Sequence, residues 1–253
     1  WLFVIWIFPV AGVLFYFCFG VNRVPDVVVK RRISDREVGT FTAGTGSSHQ
    51  VLGGDSAADL NRILDRCCDS PLTGGNTVEF LPDAVLAIDQ MIASLDEARE
   101  YIHVSSYIIG SDRTGTRLMS ALLERARAGI RVKVLYDGYG SLHARVRFFF
   151  RRFRHPNLEI VSFSHADFAR LHFYLNIRNH RKLLILDGRI AFTGGINFYD
   201  TYLRGTGDYH FRLTGPAVAD FQYAFLRDWY YMTHRTAESG SPVADGNLVV
   251  RVQ

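Results

Sequence analysis

The sequence predicts an α/β fold: a mixed β-sheet flanked by helices and preceded by a transmembrane helix. Three observations lead there. Residues 1–21 hold no charged side chain, a run long enough to cross a bilayer as a helix. From residue 78 to 136, short β-branched and aromatic stretches alternate with segments of helical spacing, the rhythm of a sheet with helices packed on it. Around Asp187-Gly188 two apolar runs flank a turn dipeptide, which reads as strand, tight turn, strand.

With 253 residues the chain can bury one sizeable core with segments to spare. Apolar residues make up 48% and charged ones 21%, an ordinary globular balance outside the first twenty positions. A formal net charge of +4 is too mild to point to nucleic acid, and it suits an anionic membrane surface or a phosphate substrate equally well. The cysteines are Cys18, Cys67 and Cys68. Without C-x-x-C spacing they indicate neither a zinc site nor a disulfide framework, and reduced thiols are expected. The chain opens on Trp1 and closes on the strand-like NLVVRVQ, so it reads as a piece of a longer protein.

In chain order, Pro9, Gly12 and Gly20 are tolerated within a membrane helix, and Trp1, Trp6 and Tyr16 are placed as interface anchors would be. A signal peptide fits less well, because there is no basic leader and the apolar run is too long. Arg23, Lys30, Arg31, Arg32 and Arg36 follow, an excess that puts this flank on the cytoplasmic side. Residues 22–75 read as a polar juxtamembrane connector with a short helix over 57–67. A domain over residues 76–235 comes next. It opens on a strand at 78–81, followed by an amphipathic helix over 83–101 with Ala84, Ile88, Ile92 and Leu95 on one face. A strand at 102–109, a helix at 115–128 stopped by Gly129, and a strand at 130–136 ending at Asp137-Gly138 complete the βαβ rhythm. Residues 145–154 (RVRFFFRRFR) interleave five arginines with four phenylalanines. They read as a helix that packs its phenylalanines inward, with a lipid interface or nucleic-acid stacking as the other uses. A last helix spans 216–231 with Pro216 at its first turn, and residues 236–253 form a linker and the start of a second unit.

The chemistry gathers in residues 179–197, NHRKLLILDGRIAFTGGIN. On a strand, side chains two apart share a face, so His180 and Lys182 point the same way. That sets a nucleophile or base beside a fixed cation, an arrangement suited to attack on an anionic phosphate. Asn197 adds a neutral donor, and Gly194-Gly195 marks a place where backbone approaches something closely. His103 and His210 read as core or edge residues, and His49, His143, His155, His165, His172 and His234 have no spacing that argues for a metal.

The offsets H-x-K-x4-D-x6-G-G, closed by x-Asn, resemble the HKD signature of the phospholipase D superfamily. The flanks GNTVEFLPDA, IHVSSYIIG, RAGIRVKVLYDGYGS and GDYHFRLTGPAVADFQYAFLRDW extend the resemblance to the first catalytic half of bacterial cardiolipin synthases, and with it a phospholipase D-like sheet. The resemblance implies that His180 attacks phosphorus and becomes a covalent phosphohistidine. It implies further that Asp208 orients the nucleophile, that Lys182 and Asn197 hold the non-bridging oxygens, and that Asp187 supports the site structurally. It implies phosphatidylglycerol as substrate, no metal or other cofactor, and a place in the bacterial cytoplasmic membrane with the catalytic domain on the cytoplasmic side. Sites of this superfamily pair two such motifs, and no second H-x-K occurs in this chain. The second half is therefore expected from a further C-terminal part or from a second subunit. A single-motif phosphodiesterase working as a homodimer, or a non-catalytic membrane scaffold, are the alternatives.

Overall fold

A computed structural model of the chain describes residues 2–16, 73–163, 166–167, 172–173, 178–205, 207–239 and 248–250. The uncharged N-terminal run is not one continuous helix there: α1 (Leu2–Ile7) stops and α2 (Pro9–Phe15) begins across Phe8. The cause is local. A residue before proline is driven out of the helical region, and Phe8 takes φ −127° and ψ 77°. No helix among the described residues is long and apolar enough to cross a membrane. Residues 17–21 of the expected span, the expected connector helix with Cys67 and the linker at 240–247 lie outside the described residues.

The domain that follows is built from β1 (Thr73–Leu81), α3 (Ala84–Ser94), β2 (Tyr101–Ser106), α4 (Arg113–Arg127), β3 (Arg131–Asp137), α5 (Leu142–Val146) and β4 (Leu158–Phe163). After the two-residue strands β5 (Ala166–Asp167) and β6 (His172–Phe173) come β7 (Leu183–Leu186), β8 (Ile190–Gly194), β9 (His210–Thr214), α6 (Val218–Thr233) and β10 (Leu248–Val250). Eight of the strands form one sheet in the order β10-β1-β9-β8-β7-β2-β3-β4. β2, β3 and β4 run parallel, whereas β7, β8, β9, β1 and β10 pair antiparallel with their neighbours. The expected mixed sheet is present, and Leu248–Val250, expected to open a further unit, pairs with the edge of this one.

β7 is apolar at every position because both its faces are covered. Leu184 and Leu186 join Ile88, Met91, Leu118 and Leu122 beneath α3 and α4. Ile185 points the other way, to Phe225 and Trp229 on α6. Asp83 caps α3 by accepting from Leu86 N at 2.8 Å, and Asp112 caps α4 by accepting from Gly115 N at 3.0 Å. α3 ends earlier than its periodicity suggests, at Ser94, because a 3-10 turn at Leu95–Glu97 leads directly into β2.

Residues 145–154 are not the single helix expected. α5 ends at Val146, Phe148 takes a left-handed φ of 53°, and a 3-10 turn (Phe149–Arg152) follows. The reversal at Phe148 lets Phe149 and Phe153 enter the core and Phe150 stack on Tyr136, while Phe148 faces outward.

β7 and β8 are joined by a turn in which Asp187 and Gly188 have φ of 52° and 64°, the paired positive values of a tight hairpin. The Asp187 carboxylate accepts from the backbone of Arg99, Glu100 and Tyr101 at 2.7, 2.9 and 2.8 Å, fixing the entry to β2. Asp187→Ala is expected to cost roughly 2–3 kcal/mol, from lost charge-assisted hydrogen bonds plus a β-carbon at positive φ without a polar side chain. Asp187→Asn should recover about half, since it keeps one acceptor and tolerates that backbone. Urea unfolding of the parent and both variants checks this, and equal midpoints for all three would remove Asp187 from the stability argument.

Candidate active site

Strand directions bring one end of the sheet together from distant sequence. The C-terminal ends of β1, β2, β3 and β8 and the N-terminal ends of β7 and β9 all lie there. The segment before β7 crosses this end and is held from three sides. Fully buried Asp137, at the end of β3, accepts from Tyr139 N at 3.0 Å and Gly140 N at 2.9 Å through Oδ1, and from Asn179 N at 3.1 Å through Oδ2. Asn179 Nδ2 donates to Ser105 Oγ and Asp228 Oδ2, both at 3.2 Å. Arg181 closes the clamp with a 2.6 Å ion pair to Asp228 on α6. The residues on either side of His180 are thus fixed, and its ring is left at the surface of the site.

His180 and Lys182 do meet, although the regular strand begins only at Leu183. Lys182 Nζ lies 2.9 and 3.0 Å from the two ring nitrogens of His180 and donates to its carbonyl oxygen at 2.9 Å. Tyr107, just past β2, backs the pair, with its ring 4.8 Å from the imidazole and 5.5 Å from the Lys182 ammonium. Lys182 is only 5% exposed, and burial lowers its pKa to about 8 against the opposing charge of Asp208. The imidazole is also held below its ordinary value, first by lost solvation and then by the Lys182 charge, which together outweigh Asp137 and Asp208. The arrangement is a neutral ring nitrogen beside a cation, which can attack a phosphodiester while its oxygens are neutralised.

Gly194 and Gly195 are needed for close approach. A β-carbon at Gly194 would sit 2.8 Å from His210 Nδ1, and one at Gly195 would overlap the Asp208 carboxylate. Asp208 acts on both His180 and Lys182 through its charge, without a hydrogen bond to His180. Asn197 is fully buried: its Oδ1 accepts from Ile108 N at 3.0 Å and its Nδ2 donates to Tyr202 Oη at 2.6 Å. The oxygen therefore holds the loop that carries Tyr107, and the amide nitrogen ties it to the turn at Asp200–Arg204. Asp187 stands at the opposite end of β7, away from His180.

Sequence reasoning did not single out Asp137, Asn179, Asp228, Tyr107 or Tyr202. Asp137 was visible only as a turn residue, and nothing local connects it to residue 179. His210, read as a core or edge residue, is buried at 2% exposure with Nδ1 unpartnered. Burial and the Lys182 charge bring it down to about 4. A cavity of about 350 Å³ opens beside His180, lined by Phe163, Arg178, Asn179, Arg181 and Asp228. A larger one, about 470 Å³, lies at the Asp187 end, with Glu97, Arg99, Arg189 and Arg212 in its wall.

A family model described as cardiolipin synthase, PLD-like domain, matches residues 91–229. A cardiolipin synthase of Halalkalibacterium halodurans is 32% identical over 93% of this chain and 49% of its own length. Cardiolipin synthase 1 of Staphylococcus aureus is 33% identical over 93% of this chain and 50% of its own. The chain thus spans about half the length of the curated relatives it matches. Among solved structures, a phosphatidylserine synthase of Haemophilus influenzae covers 76% of this chain and 51% of its own with TM-score 0.51 at 15% identity, a likeness of fold.

Proposed function

Because the chain belongs to the family of cardiolipin synthase PLD-like domains, we propose that it supplies one catalytic half of an enzyme joining two phosphatidylglycerol molecules into cardiolipin and glycerol. The observation that carries the reading is Lys182 Nζ at 2.9 Å from the His180 ring. A His180 nitrogen attacks phosphorus of the first phosphatidylglycerol, and the bond to the glycerol headgroup breaks. Glycerol leaves with a proton from a general acid, and a phosphatidyl-histidine remains. The hydroxyl of a second phosphatidylglycerol gives up its proton to the same group and attacks phosphorus, and the phosphorus–nitrogen bond breaks.

In this reading Lys182 neutralises the non-bridging oxygens, and Asp208 favours the charged states of the pair. Asn197 is a positioning residue, acting through Ile108 and Tyr107, and Asp187 serves stability. The general acid is the histidine of a second HKD half, from a further C-terminal segment or a second subunit. The apolar residues 1–21 serve as a membrane anchor, supported by the basic excess from Arg23 to Arg36, with the domain on the cytoplasmic side of the bacterial inner membrane.

The test gives phosphatidylglycerol labelled in its phosphate to membranes holding the full parental protein and resolves the lipid products. Cardiolipin with release of glycerol is expected. Phosphatidic acid alone would make water the acceptor and the protein a phospholipase. No lipid product would shift the reading to a phosphodiesterase of another substrate.

A further inference from the structure

The segment between β3 and β4 is not used by the chemistry above. From Gly138 to Leu158 it contains no acidic residue, yet it carries Arg145, Arg147, Arg151, Arg152 and Arg154. All five are exposed, and none forms an ion pair among the described residues. Leu142, Val146 and Phe148 stand among them at 47%, 67% and 60% exposure. Phe148 holds a left-handed φ of 53°, unfavourable for a bulky side chain. Its ring is turned outward, with the Arg151 guanidinium 4.4 Å away.

This segment leaves β3 at the end of the sheet that carries His180. Arg178, two residues before the histidine, stacks on Tyr139 at 4.2 Å. Behind the arginines is a cavity of about 360 Å³, with Phe150, Leu158 and Ile160 in its wall and Arg151, Arg154 and His155 lining it as well. An apolar wall with basic groups beside it complements an anionic amphiphile.

We propose that residues 142–154 are an interfacial anchor that docks the domain onto an anionic lipid bilayer. Leu142, Val146 and Phe148 enter the acyl boundary, and the five arginines bind headgroup phosphates. Charge complementarity chooses this occupant over a protein surface, since a protein partner would need a matching acidic face for five unpaired cations. The exposed aliphatic side chains choose it over nucleic acid, which is bound by stacking aromatics rather than by leucine and valine. The inference rests on the lipid-substrate reading for its purpose, but its test measures contact rather than turnover.

The full chain is reconstituted with photoreactive p-benzoylphenylalanine replacing Phe148, and separately Val146, in vesicles of phosphatidylglycerol with phosphatidylcholine or of phosphatidylcholine alone. Illumination is expected to give lipid adducts from both positions in the anionic vesicles. Adduct yield should fall by on the order of tenfold in phosphatidylcholine alone, or when Arg147, Arg151, Arg152 and Arg154 are changed to Gln. Adducts to protein would show this surface covered by another polypeptide and overturn the proposal, as would an absence of adducts from both positions. Lipid adducts in an enzyme without cardiolipin synthesis would leave the anchor standing and remove only the proposed reaction.

Discussion

His180→Ala is expected to lower cardiolipin formation by at least about four orders of magnitude, the scale seen when a nucleophile is deleted from a preorganised site. The loss should not come from unfolding, because His180 is exposed and the clamp on its neighbours uses Asp137, Ser105 and Asp228 rather than the imidazole. A sharper measurement is the covalent intermediate. Parental protein given phosphate-labelled phosphatidylglycerol and quenched in alkaline denaturant should retain label, and the variant should retain none. Two other outcomes are informative. Label retained without turnover would make His180 the acid–base partner of a nucleophile elsewhere. Label that survives in His180→Ala but disappears with His210→Phe would move the attack to His210. That result would contradict the geometry, since His210 is buried and the backbone at Gly194 packs closely against its ring.

What the sequence revealed about this site and what it concealed follow from the range of the interactions. The hairpin through Asp187-Gly188 was legible because turn chemistry and apolar runs are local. The meeting of His180 and Lys182 was legible from two-residue spacing, even though the chain there is not yet a regular strand. The clamp was not legible. Asp137, Asn179 and Asp228 lie on separate elements and have meaning only once β3, β7 and α6 are packed together. The same holds for the contacts of Asn197, whose motif position suggested a phosphate ligand and whose amide also ties Ile108 to Tyr202 across elements distant in sequence. Residues 145–154 misled for the opposite reason: their local pattern fits a helix, but burying Phe149 and Phe153 while exposing Phe148 requires the left-handed residue that ends it. At the N-terminus, composition spoke for one long helix, and a single proline divides it.

Lys182→Met should separate chemistry from stability. Activity is expected to fall by about three orders of magnitude, because the buried ammonium is the cation placed to meet phosphate charge in the transition state. Stability should move the other way. A lysine whose proton affinity is lowered by burial destabilises the folded state wherever it is charged. That penalty is complete below about pH 8, and it is relieved as pH rises through the folded value towards the ordinary one. Near pH 7 the methionine variant is therefore expected to be more stable by roughly 1–2 kcal/mol, after allowance for its hydrogen bond to the His180 carbonyl. The parental pH profile follows from the same two groups. Activity should rise as His180 loses its proton below the usual imidazole value, and fall as Lys182 loses its own at about 8. Lys182→Arg keeps the charge at any accessible pH, so the alkaline fall should disappear while maximal activity drops because the guanidinium does not fit the ammonium's position. Thermal unfolding and pH–rate curves on the three proteins decide the matter. If Lys182→Met destabilises the fold, the lysine is a packing element and the site has lost its cation. If it stabilises the fold and silences the enzyme, the cost of burying that charge is borne for the phosphate.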